Sequence, residues 1–414
     1  MQLKQNQKAK LGEDYFHENT VADKSLTFFL QPLLDKISLS LPRWLSPNAI
    51  TLSAGLLIVS VTILVLGSLP KLYGPVSPWV CVAGIFGVLG FVLLDNLDGR
   101  HAKNTGMCSK LGDFLDHGVD SLADPLAVLM IAITAQGGYS IPLWLFLIGM
   151  ILVCFMNYVY LWSDKHTKVC FVSDVQLEAY IFFSIVFALT AVFGSEIWIY
   201  NLRELIPDGV FSESVEQLLP AEMPVNVFII TTALLLPVTE FYDSFSRVLK
   251  VTGSFEPFLE LLPPALIGVG LTVWGFLSTS QIFATQKLTT CLFTVVIYSL
   301  VTGRYNLARL TGEKVKLYWE NYVLLAVAGA VSIFGVDDTL ILPVFFGLVV
   351  VATVYFYCVT VIEMARILNV PIFGMKKATS VKITPAKVVL TKAELAISSG
   401  EKRSTLKARN GVAH

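Results

Sequence analysis

From residue 48 to residue 362 the chain alternates long apolar runs with short polar interruptions. Ten runs stand out, at about 48–69, 78–96, 112–134, 141–163, 178–199, 225–246, 261–280, 283–302, 319–336 and 340–362. Most match the ~20 residues a helix needs to cross a ~30 Å hydrocarbon core. The pattern predicts an all-α polytopic membrane protein with about ten transmembrane helices. A short Ser/Thr/Gln turn separates the seventh run from the eighth, and Lys287 falls inside the eighth, where it must snorkel or shorten the span. Ahead of the first run, Leu26, Phe29, Leu30, Leu33, Leu34 and Ile37 recur at helical spacing but are broken by Asp35, Lys36 and Arg43. Residues 25–47 are therefore expected to form an interfacial amphipathic helix. Ser46-Pro47-Asn48, a capping residue followed by proline, marks the start of the first span.

Polar sequence brackets this region: an arm at 1–24, and a Lys-, Ser-, Thr- and Ala-rich stretch at 366–414 that reads as a flexible cytosolic tail. The arm lacks the apolar core of a signal peptide, so the first span is expected to direct its own insertion. Loops carrying Lys165 and Lys168, Arg247 and Lys250, and Arg304, Arg309, Lys314 and Lys316 alternate with loops poorer in cations. The positive-inside rule makes the first set cytosolic, and ten spans put both termini there too.

Composition narrows the class further. Of 414 residues, 55% are hydrophobic and 15% charged, with a mean hydropathy of +0.68; a soluble protein carries roughly a quarter charged residues. The net charge of -1 gives no sign of a nucleic-acid partner. Six cysteines without a C-x-x-C pair argue against a disulfide framework or a zinc cluster. Gly84, Gly87 and Gly90 do not fit a dinucleotide fingerprint and read as close helix packing.

One segment is too acidic for a membrane unless it works. Asp95 and Asp98, then Asp116 and Asp120, sit three and four residues apart, so each pair shares a helix face. On antiparallel neighbouring helices the four carboxylates converge at the bilayer rim, where bare charges repel and resist desolvation. Two divalent cations cancel them, and hard oxygen ligands suit Mg²⁺ or Mn²⁺. Such a site serves in-line displacement at phosphorus. Gly99 and Gly112 admit close backbone approach to a phosphate, and Arg100 and Lys103 can contact its oxygens. Asp113 and Lys110 read as solvated helix-face charges, and His101 as a loop residue. His17, His166 and His414 read as solvated.

These residues resemble the signature of the CDP-alcohol phosphotransferase family, D-x-x-D-G-x-x-A-R-(x)8-G-x-x-x-D-x-x-x-D. Seven of its eight fixed positions are met between Asp95 and Asp120; Lys103 replaces the arginine and lacks its bidentate fork. Leu30-Gln31-Pro32, the stretch Leu45 to Thr51, and Asp116-His117-Gly118-Val119-Asp120-Ser121 resemble the eukaryotic choline/ethanolamine branch. The resemblance implies catalytic helices at 48–250 and additional transmembrane helices at 251–365. It places the two metals on Asp95, Asp98, Asp116 and Asp120, and Gly99, Ala102, Lys103 and Gly112 against the CDP moiety. The implied reaction moves the phosphoalcohol of CDP-choline or CDP-ethanolamine to diacylglycerol, releasing CMP, in an endomembrane (endoplasmic reticulum or Golgi). A homodimer is an open option for a further partner.

A base must take the acceptor's proton. His117 has a suitable intrinsic pKa, with Asp120 the other candidate, and a hydrogen bond orienting a metal ligand is the alternative role for the histidine. For the headgroup, Glu178 is the candidate carboxylate, and Asn48 is a phosphate contact or a helix cap. Tyr158, Tyr160 and Trp162 read as interface anchors or aromatic walls. Two other readings stand beside this one: a family member using inositol, serine or glycerol phosphate, and a cation-coupled transporter, whose acids would usually lie nearer the midplane.

Overall fold

The computed structural model describes residues 5–11, 19–20, 26–140, 143–167, 170–171, 176–205, 222–233, 235–316 and 318–374. The polar arm contributes α1 (Gln5–Leu11) and the interfacial segment α2 (Leu26–Ser40). The bundle follows as α3 (Pro47–Ser68), α4 (Pro78–Thr105), α5 (Lys110–Thr134), α6 (Leu143–Thr167) and α7 (Gln176–Phe193). It continues as α8 (Val225–Ala233), α9 (Leu235–Thr252), α10 (Leu262–Leu277), α11 (Lys287–Thr311), α12 (Trp319–Ile333) and α13 (Ile341–Leu368). All ten predicted runs are helical among the described residues.

Among the described residues, eight helices are long and apolar enough to cross a membrane. The sixth run is covered by α8 and α9, and the ninth forms the 15-residue α12, which rises ~22 Å at about 1.5 Å per residue. The eighth span starts at Lys287 rather than enclosing it, so the ammonium lies at the helix mouth, 3.3 Å from the carbonyl of Gly138.

The second span differs most from expectation. No proline interrupts it, and it continues to Thr105, where Gly106 in the left-handed region (φ 69°) ends it. Asp95 through Lys103 are therefore helical, and His101 is no loop residue: it is buried, with Nε2 2.9 Å from the carbonyl of Leu45. After the short turn, Ser109 caps α5, its hydroxyl accepting from the Gly112 amide at 3.1 Å.

Close packing fixes α4 between its neighbours. A Cβ at Gly84 would meet the Phe187 ring on α7 at 2.6 Å, and one at Gly87 would meet Val61 on α3 at 2.6 Å. The predicted packing role of these glycines follows from that geometry. Helix α11 packs against α5 and α6 as well as α13, so a later helix packs directly on the early ones.

The arm is more than a polar appendage. Leu11 is fully buried, Lys8 lies 3.6 Å from Glu363 on α13, and Lys110 Nζ donates to the Lys10 carbonyl at 2.5 Å. Asn19–Thr20 (β1) pairs in parallel with Cys170–Phe171 (β2). Helix α2 is tied down by Asp35 to Arg100, by Ser38 to Asn104 Nδ2 at 2.8 Å, and by its Leu26 amide to Glu178 Oε1 at 2.6 Å. Phe29, Leu33 and Leu39 remain exposed on it, as an interfacial helix requires. The expected tail lies outside the described residues from 375 onward.

At the far end of the bundle, Asp338 joins three segments. It accepts from Trp274 Nε1 at 3.3 Å, the Ser280 amide at 3.0 Å and the Ser332 hydroxyl at 2.7 Å. Burial pushes its carboxyl up, but hydrogen bonds from Ser280, Ser332 and Ser278 outweigh that and hold it well below the usual carboxylate range.

Candidate active site

The antiparallel pair α4 and α5 presents its carboxylates on facing surfaces. Asp95 is within hydrogen-bonding reach of Asp116 and Asp120, and also of Gln176 at the start of α7. Asp98, buried, accepts a hydrogen bond from Thr51 Oγ1 on α3 and lies within electrostatic range of Asp95 and Asp116. Ligand atoms of Asp116, His117 and Asp120 all fall within 4.8 Å of one another. One Asp120 oxygen, Oδ1, is buried and has no hydrogen-bond partner. A cation fits here: the donors are hard oxygens, and an orphaned carboxylate oxygen otherwise bears an uncompensated desolvation cost. The structure thus brings together the four aspartates that the sequence singled out.

His117 stands between two carboxylates. Its Nε2 is 3.4 Å from Asp113 Oδ1, its Nδ1 is 3.7 Å from Asp120 Oδ2, and the Tyr160 ring meets it edge-on at 5.7 Å. Asp113 is buried rather than solvated, and its Oδ1 also pairs with Arg309 Nη2 in the last turn of α11. The second prong of Arg309, Nη1, pairs with Asp164 at the end of α6, and its Nε donates to Asn306 Oδ1 at 3.0 Å.

The remaining candidates take varied positions. A Cβ at Gly99 would meet nothing within 4 Å, and one at Gly112 would make only ordinary contact, 3.5 Å from Asn48 Oδ1. Neither glycine is demanded by the protein's own packing, so both leave room for another molecule. Asn48 is buried inside the first turn of α3, beyond the capping position, and its Nδ2 donates to the Ile372 carbonyl at 3.0 Å. Ala102 is half-buried and Lys103 exposed, whereas Arg100 is engaged by Asp35. Glu178 caps the start of α2 through Oε1, while its Oε2 is buried and has no hydrogen-bond partner.

The interface-anchor reading fails for two aromatics. Tyr158 and Trp162 are buried in the protein, donating to the carbonyls of Glu260 and Pro257 at 2.8 and 2.9 Å. His166 is likewise engaged, 2.9 Å from Glu260 Oε2. A fifth acid escaped the sequence reading. Asp124, one turn beyond Asp120, accepts from Tyr180 at 2.8 Å, with Gln176 and Asn157 in hydrogen-bonding reach. The i, i+4, i+8 run Asp116, Asp120, Asp124 was the signal available for it.

The CDP-alcohol phosphatidyltransferase family profile matches residues 44–240, a range that includes all four aspartates of this site. Residues 44–240 thus carry a CDP-alcohol phosphatidyltransferase domain, and the protein is a transferase by class. Among characterised relatives, it is similar to the choline/ethanolaminephosphotransferase 1 of Arabidopsis thaliana, 25% identical over 69% of this chain and 73% of the relative. It is also similar to the human ethanolaminephosphotransferase 1, 27% identical over 66% of this chain and 68% of that protein. A Dictyostelium discoideum protein described as an uncharacterized CDP-alcohol phosphatidyltransferase class-I family protein is 22% identical over 83% of this chain and 81% of its own length.

Proposed function

We propose that the protein transfers phosphocholine or phosphoethanolamine from the CDP-alcohol to diacylglycerol, giving phosphatidylcholine or phosphatidylethanolamine and CMP. The observation that carries this reading is the convergence of Asp95, Asp98, Asp116 and Asp120, from two helices, around the unpartnered Asp120 Oδ1. Two divalent cations, Mg²⁺ or Mn²⁺, held by those aspartates would supply the charge neutralisation that lets CMP leave. Gly99, Ala102 and Gly112 border the nucleotide, with Lys103 and Asn48 facing its phosphates. Glu178 is retained as a carboxylate for the cationic headgroup, a role its unpaired Oε2 supports.

The diacylglycerol hydroxyl attacks the phosphorus bearing the amino alcohol, and the bond to the CMP oxygen breaks. His117 takes the hydroxyl proton through the nitrogen facing Asp120 and is oriented by Asp113 on its other side. An acceptor carrying its own phosphate would need further cations, and Arg100 and Arg309 are both engaged with carboxylates. That favours an uncharged acceptor. The positive-inside pattern supports a cytosolic site with both termini on that side, and the resemblance to the eukaryotic branch supports an endomembrane.

Membranes containing the protein, supplied with diacylglycerol and Mg²⁺ or Mn²⁺, should release CMP and form phospholipid from CDP-choline, CDP-ethanolamine or both. Failure with each donor overturns the proposal, and cation transport without CMP release would point to the transporter class instead.

A further inference from the structure

Arg309 lies outside the residues matched by the family profile and 196 positions along the chain from Asp113. It nevertheless meets the site, because the last turns of α6 and α11 and the first turn of α5 end on one face of the bundle. Its side chain is 8% exposed, and all three guanidinium nitrogens are used: Nη2 by Asp113, Nη1 by Asp164, Nε by Asn306. A buried ion triad is weak as a device for stability, since desolvation offsets most of the Coulomb gain. Its strength is geometric: a planar fork gripping two carboxylates fixes the rotamer of each.

The oxygen of Asp113 that Arg309 holds, Oδ1, is the one facing His117 Nε2. Holding it there sets which edge of the imidazole turns toward Asp120. We infer that Arg309 is a positioning residue for transfer, aligning His117 through Asp113, so that the later helices complete the site built on the earlier ones. This rests on the reading of His117 as the base. Arg309 makes no claim on substrate itself, so its loss should act on turnover rather than on binding.

The test is a double-mutant cycle on the purified full-length protein, with diacylglycerol, Mn²⁺ and whichever CDP-alcohol the wild type uses. Arg309→Gln should lower kcat about 10- to 100-fold, the range for residues that orient a site group, with the KM of both substrates within about twofold. Arg309→Lys keeps the charge without the fork and should recover part of the lost kcat. In a His117→Ala background, Arg309→Gln should cost nothing further, because the residue it aligns is gone. A kcat for Arg309→Gln within twofold of wild type overturns the inference, and so does an equal loss with and without His117. If Arg309→Gln does not accumulate as folded protein, Arg309→Lys decides: wild-type kcat sinks the idea. Wild-type turnover by His117→Ala alone would instead refute the base assignment, a distinct result.

Discussion

Thr51→Val removes the hydroxyl that Thr51 brings to the acidic site, which reaches Asp98 and also, at 3.2 Å, the Pro47 carbonyl of its own helix. Valine keeps the shape of threonine but cannot donate, so the buried Asp98 Oδ2 loses the hydroxyl that now restrains it. A hydrogen bond to a charged group contributes about 1.5–3 kcal/mol, or roughly 10- to 150-fold at 1.4 kcal/mol per decade. If Asp98 is a cation ligand, that loss should appear as weaker metal binding, because the carboxylate must be reordered before it ligates. The assay is transfer activity against free Mn²⁺ concentration. The activation midpoint should rise at least about tenfold, while kcat at saturating metal stays within a few-fold of wild type. Thr62→Val on the same helix is the control: the Thr62 hydroxyl donates to its own backbone at Ile58 at 2.8 Å, and its loss should leave the midpoint unmoved. An unchanged midpoint in Thr51→Val, with activity intact, would refute the assignment of Asp98 as a ligand held by Thr51.

Asp116→Ala should abolish transfer while the protein still inserts and accumulates, and chelation should silence the wild type until Mg²⁺ or Mn²⁺ is restored; residual turnover in either case contradicts the metal assignment. Gly87→Ile should destabilise the bundle by about 1–3 kcal/mol or more through overpacking against Val61, read as a lower Tm in detergent. Asp338→Asn should cost on the order of 1–3 kcal/mol at pH 7. Because the folded Asp338 carboxyl titrates below its unfolded value, its contribution is present above about pH 4 and is lost as pH falls through the folded pKa. The Tm gap between Asp338→Asn and wild type should therefore narrow below about pH 4; a gap that widens there would be the wrong sign.

The spans were legible because lipid leaves helix as the one solution for a long apolar run in this class. The true end of α4 was not. The apolar run stops near residue 96 and His101 reads as a loop residue, yet the helix continues because no proline breaks it before Gly106. The four aspartates could be read from spacing alone, since i, i+3 and i, i+4 are local geometry. Thr51 and Arg309 could not, because each reaches the site from a different helix and their pairing depends on how the bundle closes. Asp113 was misread for the same reason: an acid in a first helical turn is ordinarily solvated, and only the arrival of Arg309 explains its burial. Sequence leaves Tyr158 and Trp162 open between interface anchors and aromatic walls, because it does not show that residues 256–261 fold back over them.

With α4 unbroken to Thr105 and α5 capped at Ser109, every aspartate of the acidic site belongs to a regular helix rather than to a segment that must condense around its ligand. Nucleotide capture should then resemble docking into a rigid socket. In a calorimeter its heat-capacity change would scale with the surface the nucleotide itself buries, without the large negative excess that accompanies coupled folding.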